Sequence, residues 1–294
     1  MKKIFIYPFI TLSVFITSAY AQNVGIGTNT PQSSAQLDVS STLKGFLPPR
    51  MTITQMNAIS NPVEGLIVYC SNCVPKTIYI YDGRNFVNPS TNAPSGFDPL
   101  NDAYNPATGR VWMNKNLGAT RVATSSTDTA SYGGLYQWGR GTDGHQVKTS
   151  DTTSVLSSTD QPANGKFIIV NTDPYDWRSP QNGNLWQGVN GANNACPSGY
   201  RIPTIAELGA EIVSFSSQNA AGAFASPLKL PMAGVRLASN GLVVEEGIGA
   251  YYWSSSVQIA PGLGAYKLNF NSSSYNTIYD TGRSFALSVR CIKN

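Results

Sequence analysis

The chain is poor in charge, in glutamate and in histidine. Charged residues make up 12% of its 294 positions, with five glutamates and a single histidine, His145. That is about half the charge of an ordinary globular chain. Each scarcity closes a class of function. Sugar hydrolysis needs two carboxyl groups flanking one bond. Glu245 and Glu246 adjoin in an expected strand, so their side chains project to opposite sides, and Glu207 is taken up by a helix cap. His145 stands in Gly141-Thr142-Asp143-Gly144-His145 with no partner supplied by motif, and is expected to be a solvent-exposed loop histidine. No G-x-S-x-G nucleophile elbow is present. Together these point away from an enzyme. Basic residues are also unclustered. There are 20 against 16 acidic ones, and Lys2 and Lys3 belong to a leader, which leaves the remainder near +2. That balance gives no electrostatic footprint for nucleic acid or for a membrane surface.

What fills the gap is Gly, Ser, Thr and Asn, a composition suited to a β-rich, loop-rich extracellular protein. Residues 1–21 read as a signal peptide: Lys2-Lys3, an apolar run from Ile4 to about Ile16, then Ala19-Tyr20-Ala21 as the cleavage site. The apolar run is short for a membrane span, which takes about 20 residues. No other stretch reaches that length, and no cysteine follows the cleavage site to carry a lipid. The expectation is a secreted or cell-surface protein without a membrane span once the leader is removed.

Export governs the reading of the four cysteines. In an oxidising compartment an even number favours disulfides. The simplest pairing is Cys70 with Cys73 and Cys196 with Cys291, and two other connectivities remain open. The second bond would close a loop worth about 4–5 kcal/mol in the chain-entropy account. Cys70-Ser71-Asn72-Cys73 matches C-x-x-C, but Val74-Pro75 and a strand follow it, not the helix that would activate a redox thiol. Zinc would need two further ligands. The motif therefore reads as a structural clip.

Along the chain, residues 22–87 form a small β-rich module. Strands are expected at Asn23–Thr28, Leu37–Val39, Gly65–Tyr69, Ile78–Tyr81 and Asn85–Val87. A capping box, Thr52 with Gln55, opens a short helix to about Ile59. Residues 88–104 are rich in Pro, Ser, Asn and Asp and read as a linker. Residues 105–294 form a head. Its organising stretch is Cys196–Leu208, in which a Pro197-Ser198-Gly199 turn leads to an extended Tyr200–Ile202. A second capping box, Thr204 with Glu207, then opens a helix over Ile205–Phe215. A further short helix is expected over Tyr132–Trp138, and strands at Arg110–Met113, Phe167–Val170, Leu228–Met232, Gly234–Leu237, Leu242–Glu245, Tyr251–Ser255, Ala265–Phe270, Thr277–Tyr279 and Ala286–Ile292.

Two resemblances add to this reading. Val24-Gly25-Ile26-Gly27-Thr28 with Leu37-Asp38-Val39, and Gly45-Phe46-Leu47-Pro48-Pro49-Arg50, resemble stalk repeats of bacterial surface proteins and phage-like fibres. That likeness implies chains intertwined as a homotrimer, against the alternative of a monomeric β-rich domain. The second rests on six ordered runs: Trp112-Met113-x-Lys115-Asn116-Leu117, Tyr132-Gly133-x-Leu135-Tyr136-x-Trp138, Cys196-Pro197-x-Gly199-Tyr200-Arg201-x-Pro203-Thr204, Leu230-Pro231-x-Ala233-Gly234-x-Arg236, Tyr252-Trp253-Ser254-Ser255 and Ser288-Val289-Arg290-Cys291. They resemble the Fibrobacter succinogenes major paralogous domain of exported Bacteroidetes-type proteins. This implies an α+β, C-type-lectin-like head with two helices, a twisted antiparallel sheet and long loops, of the kind shared with formylglycine-generating enzymes. Those enzymes use paired reactive cysteines. This head has only Cys196 and Cys291, at structural positions, which argues against the activity. The calcium signatures of related lectins, E-P-N, Q-P-D and W-N-D, are absent, with Ser254 and Ser255 near where ligands would stand. No metal or cofactor is therefore expected. Calcium at Asp173, Asp176, Asn182 and Asn184 is the one alternative.

The candidate ligand surface is the aromatic loop Asp173–Asn194, with Tyr175, Asp176, Trp177, Arg178 and Trp186 as its contacts. The competing reading is that Trp177 and Trp186 fill core beneath the loop. The expected function is a non-catalytic exported protein whose trimerising stalk presents a head for adhesion, binding a glycan or a protein. The alternatives are a carbohydrate-binding accessory module of a polysaccharide-degrading system and an exported enzyme of the formylglycine-generating class.

Overall fold

The computed structural model describes residues 23–258, 264–276 and 280–294. The leader expected at 1–21 and the strand expected at Thr277–Tyr279 lie outside them. The chain divides into two units, residues 1–50 and 51–294.

In the first unit Val24–Ile26 pairs in parallel with Leu37–Val39, in the register Val24 to Leu37 and Ile26 to Val39. The connection is tied by the Gln32 N–H donating to the Asp38 carboxylate at 2.9 Å. Backbone bonds from Val24 N–H to Gln36 and from Ser40 N–H to Ile26 close the two ends of the ribbon.

The second unit opens with the helix Ile53–Asn57. Thr52 caps it, and the reciprocal Gln55 bond completes the capping box. An antiparallel sheet of Ile67–Cys70, Ile78–Tyr81 and Phe86–Val87 follows. Asp82 accepts the N–H groups of Arg84 and Asn85, which sets the turn between the last two strands. Met56, Val68, Tyr79, Phe86 and the Cys70–Cys73 bond form the core of this part. The stretch read as a linker ends in a strand, Asp102–Asn105, paired with Arg110–Met113.

The remainder is built of several small sheets. One joins Tyr200–Arg201, Ile292–Lys293, Arg110–Met113 and Asp102–Asn105. Another joins Val243–Glu246, Ala233–Arg236, Ala286–Leu287 and Tyr136–Gln137. The longest strand, Gly249–Val257, pairs with Ala265–Asn271. Thr152–Thr153 runs parallel to Phe167–Ile168.

This architecture corrects the expected α+β, C-type-lectin-like class. The chain is mostly β, and among the described residues the α-helices are three short ones, Ile53–Asn57, Ile205–Ser214 and Ala220–Ala225. The helix expected over Tyr132–Trp138 does not form. Gly133 takes φ of +71°, in the left-handed region, and a Cβ there would meet the Leu117 carbonyl at 2.4 Å. Gly134 N–H bonds to Leu117 and Leu135 N–H to Gln146, so the backbone donors a helix would use are committed elsewhere. The segment continues extended, and Tyr136–Gln137 pairs with Ala286–Leu287. The helix expected at Ile205–Phe215 does form, capped by Thr204 with Glu207. Leu228–Met232 is not a strand. The run Ala286–Ile292 is split between two sheets, with the buried Arg290 between the two strands.

All five tryptophans lie in this head and all are buried. A buried indole needs a partner for its N–H, and each has one. Trp112 donates to Glu211, Trp138 to the Ser254 carbonyl, Trp177 to the Trp138 carbonyl, Trp186 to the Arg140 and Asn193 carbonyls, and Trp253 to the Tyr136 carbonyl. Loops are thereby tied to strands through the core, which orders long irregular segments without regular structure. Arg290 acts in the same way. It is fully buried and donates to Asn116 Oδ1 and to the Leu228 and Met113 carbonyls, and burial pushes its guanidinium down to about 10.

Candidate functional site

The loop Asp173–Asn194 does not present the aromatic platform that the sequence suggested. Trp177 and Trp186 have essentially no exposed surface and belong to the main core cluster. The correction has a plain cause. Their indole N–H groups find backbone carbonyls inside, and Trp186 packs against Trp138 with ring centroids 5.7 Å apart. Asp176 is also buried. Its carboxylate accepts the Arg178 N–H at 3.0 Å and lies 3.5 Å from the Arg283 guanidinium, and burial raises its pKa. Of the five candidate contacts, only Tyr175, at 38% exposure, and the partly exposed Arg178 reach solvent. Arg178 Nε stands 2.7 Å from Asp160. Asn182 donates to Asp160 as well, and its Oδ1 accepts the Asn184 N–H, so that oxygen is engaged within the loop. Among the described residues no three His, Cys, Asp or Glu side chains group closely enough to hold a metal ion.

His145 also departs from expectation: it is fully buried, not exposed. Its Nε2 accepts the Gln137 N–H at 3.0 Å, and its Nδ1–H donates to Asp143 Oδ1 at 2.5 Å. Arg140 grips the other Asp143 oxygen through Nε and Nη2, and also holds the Gln137 side chain. Burial alone would raise the Asp143 pKa, but His145 and Arg140 hold the carboxyl well below the usual range. Burial lowers the imidazole to about 4. Protonating Nε2 would also set two N–H donors against each other. With both ring nitrogens engaged, the residue knots the polar core.

The pH consequence follows from linkage. The unfolded histidine takes up a proton near 6.5, whereas the folded one does so only near 4. Between these values the unfolded chain holds more protons, so stability rises with pH, is complete above about 6.5, and is lost on acidification toward 4. Denaturant unfolding followed by tryptophan fluorescence at pH 7 and pH 4 should show the native chain losing about 3 kcal/mol more than the His145→Asn variant. Equal losses would contradict this role for His145.

Both cysteine pairs are bonded as the simplest pairing required. Cys70 and Cys73 have Cα atoms 5.5 Å apart. Cys196 and Cys291, 95 residues apart in sequence, have theirs at 5.9 Å. No cysteine is free.

The first unit holds an apolar surface in the segment whose sequence resembles stalk repeats. In a parallel pair, registered residues and their second neighbours share a face. Val24, Ile26, Leu37 and Val39 therefore lie side by side. They are 54%, 56%, 52% and 41% exposed. Leu43, Phe46 and Leu47 add 93%, 66% and 63% nearby in sequence. Parallel pairing is ordinarily found buried, and a two-stranded ribbon is marginal alone. The signal available in the sequence was the spacing of four apolar residues among glycines and polar residues.

Residues 25–106 match a family model described as a phage tail like trimerisation region. The match takes in most of the expected β-rich module and continues through the stretch read as a linker. Among curated proteins none matches the chain, and among solved structures none matches it. No helix among the described residues is long and apolar enough to cross a membrane.

Proposed function

We propose that the chain is a non-catalytic exported protein that assembles as a homotrimer through its N-terminal region and presents residues 105–294 for adhesion or ligand binding, secreted or at the cell surface. The observation that carries the assembly is the row Val24, Ile26, Leu37 and Val39, exposed within the segment that resembles a trimerisation region. Completing the burial of each half-exposed side chain is worth about 1 kcal/mol, repeated in every chain of the assembly. Export rests on the leader-like residues 1–21, and kinship with the Fibrobacter succinogenes major paralogous domain rests on the six ordered runs. The non-catalytic reading is supported by a histidine with both nitrogens engaged and by head cysteines held in a disulfide. Amine-reactive crosslinking of residues 22–294 at micromolar concentration should give a ladder ending at three chains. A ladder ending at one chain or at two overturns the proposal.

A further inference from the structure

The second unit contains a cleft of about 530 Å³ that none of the foregoing uses. One wall is the end of the small antiparallel sheet, with Tyr81, Arg84, Asn85 and Phe86. The other is formed by the two middle strands of the sheet that carries Arg110 and Lys293. Three cations line it, and no aspartate or glutamate does. Lys293 is neutralised, since its ammonium donates to Asp102 at 2.7 Å. Arg110 is not. The Glu207 that it approaches at 3.5 Å is already held by two bonds from Arg201 at 2.6 and 2.8 Å, and the Arg110 side chain stays 52% exposed. Among the described residues the Arg84 guanidinium has no carboxylate partner within 4 Å, and Asp82, two residues back, is committed to capping the backbone of the turn. Beside these cations Tyr81 and Phe86 meet at 5.2 Å in a tilted pair.

We infer that this cleft binds an acidic saccharide, a uronic-acid unit whose carboxylate is taken by Arg84 and Arg110. The size is that of a small-molecule site. A guanidinium pairs a carboxylate through two parallel hydrogen bonds. Tyr81, backed by the buried Phe86 ring, and the Asn85 amide supply an apolar face and a polar edge to match those of a sugar ring. An acidic peptide shares the charge but does not need that combination. The inference rests on the ligand-binding half of the function proposed above, extended to a wall, Tyr81–Phe86, that lies within the segment matched to the trimerisation region but outside residues 24–39.

The test is calorimetric titration of residues 22–294 with digalacturonate, with neutral lactose and with tetraglutamate. Digalacturonate should bind and weaken with salt. Lactose and tetraglutamate should each bind at least about tenfold more weakly, and Arg84→Gln and Arg110→Gln should each lower digalacturonate affinity by about tenfold. Both arginines are exposed, and unchanged melting of the variants would show that the fold is kept. Failure of digalacturonate to bind, equal binding by the variants, or equal binding of lactose or tetraglutamate overturns the inference. A trimer that ignores digalacturonate removes this site alone. A monomer that binds it through Arg84 and Arg110 removes the assembly reading alone.

Discussion

Replacing Ile26 and Leu37 together by aspartate is expected to convert the protein from three chains to one. Both side chains lie on the apolar face of the Val24–Ile26 and Leu37–Val39 ribbon, and both are more than half exposed in the single chain. A charge there therefore meets water in the monomer and costs the isolated chain little. In the assembly the same position would be covered, and an unpaired carboxylate buried against apolar neighbours is strongly unfavourable. Three chains would bring six such groups into one interface. Sedimentation velocity should show the change in mass, and tryptophan fluorescence, which reports only on residues 105–294, should give the melting curve of the head unchanged. A double variant that remains trimeric would place the contacts elsewhere. Loss of the head's melting transition would show that the variant acts by unfolding.

The second large effect is on the head. Removing the Cys196–Cys291 bond with a paired Cys196→Ala and Cys291→Ala variant should lower stability by about 4–5 kcal/mol and the melting temperature by about 10–15 °C. The bond spans 95 residues and joins the turn that leads into the Tyr200–Arg201 strand to the residue just before Ile292–Lys293, its partner in the same sheet. Cys291 is itself buried in the main core, and its carbonyl accepts the Met113 N–H. The Cys70–Cys73 pair has a sequence separation of 3. Its removal should cost only about 2 kcal/mol in the same account and should leave the tryptophan signal alone. Equal effects of the two removals would argue against loop closure as the source. The pairing also bears on the alternative of a formylglycine-class enzyme, which needs a reactive thiol where the structure has a closed disulfide.

Local patterns of the sequence carried much of the fold. Thr52 with Gln55 and Thr204 with Glu207 each form the reciprocal cap that their spacing implies, and the cysteines pair in the simplest way. The failures lie where a distant partner decides. Tyr132, Leu135 and Tyr136 have helical spacing, yet the Leu117 carbonyl lies against Gly133 and holds the chain extended. His145 reads as a loop residue from its glycine-rich neighbours, but Gln137, eight residues back, supplies the bond that holds it inside. Trp177 and Trp186 look like a binding surface by composition. Their burial depends on the Trp138 and Arg140 carbonyls, which no local pattern announces. The cleft was invisible for the same reason, since Arg84, Arg110 and Lys293 come together only through sheet packing.

The claim on which the function depends is that the exposed row Val24, Ile26, Leu37 and Val39 is covered by further copies of the same chain. Sedimentation equilibrium of residues 22–294 across a hundredfold range of concentration tests it most directly. A single species of three times the chain mass is the predicted result. A single species of one chain mass throughout would contradict it.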